Sequence, residues 1–584
     1  MREVTYKKGD SPPMQHLSYL KKGKMGPFVI IPPESKQMQG PPKISATTAK
    51  RFSQLGLLVI LLAFLLYAAR FIERTSFFIG AQRYFALFDD SMISMQYARN
   101  LAHGNGLIWN ARGERVEGFS NPLWVFFMAF FHLFPIPSPT ISLAIQTSGA
   151  IFLLINLLII KKIADQLMGG YLAPLLAVFL TAFYFHLNNW SLQGVEVGIL
   201  ALLLSTSVWI ALRNFKARNF SLWPYLLLII GTFVRFDMAV PLAILSAMLA
   251  WKDKKYRGRH LSWGLGLLSV SVIGQTLLRH WYYGDWLPNT YYLKVSGISL
   301  EDRLQRGASA FGSFLWGSGW FLMVIPILLL LIWPDVPSLL LFGLLFGQIA
   351  YSIYVGGDAW EHKGGANRFI AIAMPLFFIL FVQTLDKLRR ALVKLKSGAG
   401  AKTLSQILFA AFVFTSLFSF NVINENNALE KWTLVKRPIF VAGTQRYVTL
   451  GLLLKEITDE QAKIAVVTAG NIVYFAERTG IDMLGKSDRF IAHSQPHQNG
   501  GVFGNVEEIF RPGHNKWDYQ HSIVDLQPDI VAQIWGSSKE MDPYLTAGGY
   551  EFFEVEGFPL YIRTDSRHIL WQLVNSLLQE EPVQ

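Results

Sequence analysis

The chain has 584 residues, 52% of them hydrophobic and only 16% charged, a balance that excludes an ordinary soluble enzyme. Its formal net charge of +13 would suit nucleic acid, but the basic residues cluster in short loops between apolar runs, where membrane topology explains them. With no cysteine, a disulfide framework and thiolate-bound metals are also excluded.

Residues 1 to 50 are basic and mostly polar, and read as a cytoplasmic tail without a cleavable signal peptide. The first span, Leu55 to Ile72, follows Lys50-Arg51, so the chain emerges on the outer side. There it breaks into a polar stretch from Phe88 to Trp124, FDDSMISMQYARNLAHGNGLIWNARGERVEGFSNPLW. Ile93, Tyr97 and Leu101 recur every fourth residue opposite Gln96, Arg99 and Asn100, which predicts a helix resting on the membrane surface. Asp89 and Asp90 stand at its start, where free backbone N–H groups favour carboxylates, so helix cap and catalytic acid are both open readings. Asn121 to Pro135 is apolar but shorter than the roughly 20 residues a crossing needs, and is expected to dip into the outer leaflet and return.

The spans after it follow by alternation. Ile141–Ile160 descends to Lys161-Lys162, and 171–185 ascends, leaving Asn188 to Glu196 outside. Val197–Leu212 descends, Leu222–Val234 ascends to Arg235-Phe236-Asp237, and Met238–Trp251 descends to the basic loop 252–260. Leu261–Leu278 ascends to RHWYYGDWLPNTYYLK, an amphipathic segment at 300–313 precedes a descent through Phe314–Trp333, and Ser338–Val355 ascends to GGDAWEHKGGANR. Phe369–Leu385 descends and Leu404–Phe420 ascends for the last time. The expectation is a polytopic α-helical membrane domain over 51–420, with about eleven spans at ordinary lengths and outer-face juxtamembrane helices. The tail, 421–584, is different material. Buried strands are expected at Ile464–Thr468, Asp529–Gln533 and Phe558–Ile562, between helical patterns at 445–458 and 567–578, giving a small α/β domain on the outer face.

In this topology the unusual polar motifs gather on one side of the membrane. Ionisable residues beside spans are costly and mark substrate paths, so their one-sidedness says more than any single motif. Asp89 and Asp90 can accept protons; Arg279, Lys294 and Arg368, cations at outer span ends, are candidates to hold an anion. Glu196, Asp237 and Asp358 are candidates for sugar hydroxyls or for support, although Arg235 with Asp237 could be a structural ion pair and Asp358 a turn residue. Such a set suits transfer of a group from a lipid-linked phosphate, with or without a divalent metal beside the leaving phosphate. Trp281, Tyr282, Tyr283, Trp286, Tyr291 and Tyr292 fit an interfacial aromatic belt.

The order of motifs carries a resemblance: paired acids after the first span, GFSNPLW, Gly194-Val195-Glu196, RFD, YGDWLPNTYYLK, and YVGGD followed by Arg368. It resembles the bacterial GT-C membrane glycosyltransferases, especially those similar to the mycobacterial terminal β-arabinofuranosyltransferase and the pilin arabinosyltransferases. It covers roughly residues 55 to 390 and more loosely the tail, where DMLGKSD and RPGHNKWD look like family landmarks. The resemblance implies a polyprenyl-phosphate sugar donor, a glycan or protein acceptor, reaction at the periplasmic face of a bacterial inner membrane, and a catalytic base at Asp89 or Asp90. The setting of Glu196 departs from the small or Thr-rich surroundings usual for that motif. A transporter or flippase of lipid-linked saccharide is the alternative; the paired repeats and mid-membrane polar residues expected of one are not visible in the sequence.

Overall fold

The computed structural model describes residues 46–361, 365–395, 399–422, 426–497 and 511–580, so the expected amino-terminal tail lies outside it up to residue 45. Helix α1 (Ala46–Thr75) leads through a hairpin, β1 (Phe77–Ile79) and β2 (Gln82–Tyr84), into α2 (Asp89–Ala102) and α3 (Pro122–His132). Then come α4 (Ser138–Leu167), α5 (Leu172–Ala182), α6 (Phe185–Leu192), α7 (Val197–Ala217), α8 (Trp223–Val234), α9 (Ala239–Lys252) and α10 (Arg257–Tyr283). After α11 (Asn289–Lys294), the helices are α12 (Leu300–Gly317), α13 (Trp320–Ile332), α14 (Val336–Tyr354), α15 (Met374–Leu395) and α16 (Ala399–Asn421).

By length and composition six of these, α1, α4, α7, α10, α14 and α16, can cross a membrane, or eight if the bent pairs α5–α6 and α12–α13 each count as one span. Of the eleven expected spans, α8, α9 and α15 fall outside this count. Helices α8 and α9 have 12 and 14 residues, about 18 and 21 Å, against a hydrocarbon core of about 30 Å. They are separated where Arg235 turns extended (φ −158°, ψ 131°). Helix α15 is long enough at 22 residues but carries Asp386, Lys387, Arg389, Arg390 and Lys394. Helix α3, which is not one of the eleven, has 11 residues and about 16 Å of length, too short to cross. Outward-facing Leu58, Leu62 and Leu66 on α1 and Val270, Ile273 and Leu277 on α10 are all more than half exposed, a continuous apolar surface that hydrocarbon, not water, would cover. The chain is a multi-pass membrane protein.

The tail adds α17 (Ala428–Trp432), α18 (Val441–Ile457), β3 (Lys463–Val466), α19 (Asn471–Ala476), β4 (Thr479–Asp482), α20 (Arg489–His493) and β5 (Ile530–Val531). It ends with α21 (Ser538–Ala547), β6 (Tyr550–Val555), β7 (Phe558–Arg563) and α22 (Trp571–Glu580). The sheet order is β4-β3-β5-β7-β6, with β3 parallel to β4 and β5, and β7 antiparallel to β5 and β6. The three expected strands are present, and β4 and β6 join them. Alternate residues of the central strands face opposite ways. Ile464, Val466 and Ile530 pack with α18 and α19, whereas Ala465 and Val531 pack with Met541 and Leu545 of α21, so helices cover both faces.

One core cluster joins Met92, Trp109 and Trp124 to Leu454, Ile464 and Phe475, tying the first polar stretch to the tail. This corrects the reading of α2 as a helix lying on the membrane with a wet polar face. Gln96 and Asn100 are buried and donate to the backbone carbonyls of Trp109 and Ile108, while Arg99 stacks 4.3 Å from the Tyr474 ring centre. The tail supplies the cover that the sequence pattern assigned to lipid.

Candidate active site

The first turn of α2 sends its two acids different ways. Residues adjacent on a helix point about 100° apart, so neighbours in sequence need not share surroundings. Asp89 is buried against the tail: its carboxylate accepts from the backbone N–H of Asn471 at 2.8 Å and of Gly470 at 3.3 Å, the free donors that open α19. Gly470 permits this approach, since a Cβ there would strike the Asp89 backbone. Burial pushes the Asp89 carboxyl up to about 6 against these hydrogen bonds, with the neighbouring Asp90 charge adding to the rise.

Asp90 faces an open cleft lined also by Ser94, Asn121, Glu196, Lys294, Arg368 and Lys486. Arg368 Nη1 donates to its carboxylate at 3.0 Å, and Lys486 Nζ stands 3.3 Å from the other oxygen. Burial alone would raise Asp90, but Lys486, Arg368 and Lys294 together hold it well below the usual carboxylate range. Arg368 is itself clamped by Asp358, which accepts from Nε at 2.6 Å and Nη2 at 2.7 Å in a two-pronged pair. Lys294 is pushed down to about 8, first by burial and then by the charges of Arg368 and Lys486, with the acids Asp90 and Asp358 opposing.

Three separate pieces of chain deliver these cations. Asn289, at the start of α11, donates to the carbonyls of Gly485 and Lys486 at 2.9 and 3.0 Å, fastening the DMLGKSD turn beside Lys294. That turn is shaped by Asp482, which accepts from the N–H groups of Leu484 and Ser487 at 3.1 and 2.6 Å. From RPGHNKWD, buried Lys516 donates to Tyr292 and Ala492 at 2.9 Å each. Gly513 of the same segment, at φ +81°, lies over the Lys294 stem where a Cβ would come within 3.2 Å of Cε. Both tail landmarks thus act on the cleft.

At the other wall, Glu196 accepts from Arg235 Nη1 at 2.9 Å and from Asn121 Nδ2 at 3.0 Å, and Asn121 in turn accepts from Ser94 at 3.0 Å. Arg235 closes a second pair with Asp237, donating from Nε at 2.6 Å and Nη2 at 3.0 Å. The cleft is polarised in consequence. Cations outnumber acids around Asp90, and acids outnumber cations around Arg235.

Comparison with solved structures accounts for this arrangement of helices and tail. Over 91% of this chain and 75% of theirs, the structure overlays on the archaeal oligosaccharyltransferase AglB from Archaeoglobus fulgidus in complex with an inhibitory peptide and a dolichol-phosphate, with a TM-score of 0.53 at 11% identity. ArnT from Cupriavidus metallidurans bound to undecaprenyl phosphate overlays over 89% of this chain and 99% of its own, also with a TM-score of 0.53, at 10% identity. The shared architecture is the GT-C fold. Residues 439–568 match a family described as a domain of unknown function, DUF8728, and no curated protein matches the sequence.

Of the residues singled out in the sequence, Asp90, Glu196, Lys294 and Arg368 line the cleft, and Asp237 and Asp358 stand behind it as partners of the arginines. Arg279 does not line it. Its guanidinium pairs with buried Glu117, joining α10 to the first polar stretch. Lys486 was missed as a site residue because nothing local separates it from other surface lysines. Among the described residues, no cluster of three or more histidines or acids has metal-holding geometry, and both oxygens of Asp90 already face cations. The donor set of this cleft therefore does not fit a divalent metal.

Proposed function

We propose that the protein is a membrane glycosyltransferase that moves a sugar from a polyprenyl-phosphate donor to a hydroxyl of a glycan or protein acceptor at the periplasmic face of a bacterial plasma membrane. The observation that carries this reading is the convergence of Lys294, Arg368 and Lys486 on Asp90 in one cleft. The lipid phosphates bound in two proteins of the same fold support a lipid phosphate as the anion. The resemblance of the motifs makes arabinofuranose the first donor sugar to test.

The chemistry follows from the charges. In the free cleft Asp90 is held too acidic to take a proton. A donor phosphodiester lying between Lys294 and Lys486 shares their charge, and Asp90 regains basicity as it arrives. The acceptor hydroxyl then gives its proton to Asp90 while its oxygen bonds to the anomeric carbon. The bond from that carbon to the phosphate oxygen breaks, and its electron pair leaves with the polyprenyl phosphate. The added negative charge is stabilised by the two lysines, and no general acid is required. Arg368, fixed by Asp358, orients Asp90; Glu196, Asn121 and Ser94 bind sugar hydroxyls.

Titration of purified wild type, Lys294→Ala and Lys486→Ala with a short-chain polyprenyl-phosphate sugar tests the site. A charge-assisted hydrogen bond is worth about 1.5–3 kcal/mol, so each variant should bind about ten- to a hundredfold more weakly. Unchanged affinity in both removes the phosphate from this cleft. Because the chain has no cysteine, single-cysteine variants report sidedness without background. An impermeant thiol reagent applied from outside should label His103→Cys and not Lys254→Cys.

A further inference from the structure

A second cavity, outside the charged cleft, lies in the tail. It is open to solvent and is lined by Arg446, Tyr447, Gln533, Phe558 and Tyr561, with the backbone that follows β5. Its position in the sheet is specific. The chain leaves β3 through α19 to β4 on one side and leaves β5 through α21 towards β6 on the other, and these helices cover opposite faces. The ends of β3 and β5 are therefore the point where the winding of the sheet reverses. There the outgoing connections part and leave a crevice outside the carboxyl ends of the strands, the place where open α/β sheets bind ligands.

The lining is a set of donors on an aromatic floor. Gln533 Oε1 accepts from the backbone N–H groups of Val467 at 2.9 Å and Thr468 at 2.8 Å and from the Thr468 hydroxyl at 2.8 Å. With its oxygen held by three donors, the amide cannot flip, and its NH₂ group is left for the cavity. Arg446 lies over the Phe558 ring, 5.3 Å from its centre, and among the described residues no hydrogen bond or ion pair to its guanidinium is seen. The Tyr447 and Tyr561 rings complete the wall. Thr468, which holds Gln533, stands two residues before Gly470, whose N–H meets the Asp89 carboxylate, so this wall adjoins the first turn of α2.

We propose that this crevice is a saccharide-binding subsite that holds the acceptor glycan while its terminal hydroxyl reaches Asp90, an inference that rests on the glycosyltransferase reading. Ring faces suit the C–H faces of sugars, and the fixed amide and the guanidinium suit their hydroxyl and ring oxygens. A protein acceptor would need the backbone carbonyls and N–H groups of a peptide to be matched alternately, whereas the side chains here offer donors.

The test uses the full-length chain in detergent, fluorescently labelled and applied to an array of bacterial oligosaccharides. Wild type should be retained on a subset of them. Gln533→Glu keeps the oxygen that Val467 and Thr468 require but replaces the donating NH₂ by an acceptor, and Tyr561→Phe removes only a hydroxyl, so both test recognition rather than folding. Arg446→Ala acts on an exposed side chain. Loss of about tenfold or more in retention for Gln533→Glu and Arg446→Ala is expected. No retention of wild type on any saccharide, or retention unchanged in all three variants, overturns the proposal. Binding of a short-chain polyprenyl phosphate to the wild type reads the charged cleft separately. Phosphate bound with no saccharide retained sinks the subsite alone, and saccharide retained with no phosphate bound sinks the donor reading alone.

Discussion

The two sides of the first turn of α2 carry the same residue type and do opposite things with it. On the tail side, Asp89 is buried and met by backbone donors at the start of α19; on the cleft side, Asp90 is half-buried and met by Arg368 and Lys486. Backbone N–H groups fix a carboxylate in place and cannot follow a ligand. Side-chain cations can transfer their charge to an arriving anion and release the acid for chemistry. Under the proposed function, Asp89 is a strut and Asp90 a reactive group because of their partners and not because of the residue type.

The sharpest way to break this comparison is to neutralise each acid. Asp90→Asn should lower transfer on the order of 10²- to 10⁴-fold, the usual cost of losing a positioned base, with the protein still folded. Turnover near the wild-type rate would return Asp90 to a structural role. Next in size, Lys486→Ala should weaken donor binding about ten- to a hundredfold, although it lies in the tail and not among the membrane helices. Isothermal titration with donor would register this, and a wild-type constant would separate the tail from the site.

Lys294 sharpens the comparison through pH. Its ammonium is pushed down to about 8 in the free cleft, and only the protonated form holds an anion. The donor phosphodiester does not itself titrate there, so affinity should be level below about pH 7 and fall as pH rises through about 8 to 9.5, while Lys294→Ala binds weakly at every pH. A parallel slope in the variant would assign the titration elsewhere. Asp89→Ala should behave in the reverse way to Asp90→Asn. Two backbone donors at α19 lose their acceptor, costing about 1 kcal/mol of stability, visible as a lower melting temperature with donor affinity within a few-fold of wild type. The smallest effect on binding belongs to Arg279→Ala. It should leave the donor constant unchanged and lower only stability, because it strips the partner from buried Glu117.

Most of the architecture could be read in the chain itself. Apolar runs interrupted by basic loops determine that this is a membrane protein, the paired acids after the first span mark the first turn of α2, and short apolar runs beside turn residues locate β3, β5 and β7. These are local properties of side-chain polarity and backbone period, so they survive being read in one dimension. A count by length and composition alone leaves out α8 and α9, which are apolar and short, and α15, whose second half is charged.

The site was legible in its residue types but not in its assignments. Lys486 and Asp90 meet only because Asn289 and Lys516 fasten the tail to α11, and Arg279 leaves the set only because Glu117 comes to it from another loop. Asp89 and Asp90 are indistinguishable as neighbours in a sequence and stand about 100° apart on a helix. Sequence alone therefore determined which charges the chain carries towards one face. Only the tertiary structure decided which of them neutralise one another and which are left to meet a ligand, because electrostatic energy depends on distances of a few ångströms between segments that the chain order does not relate.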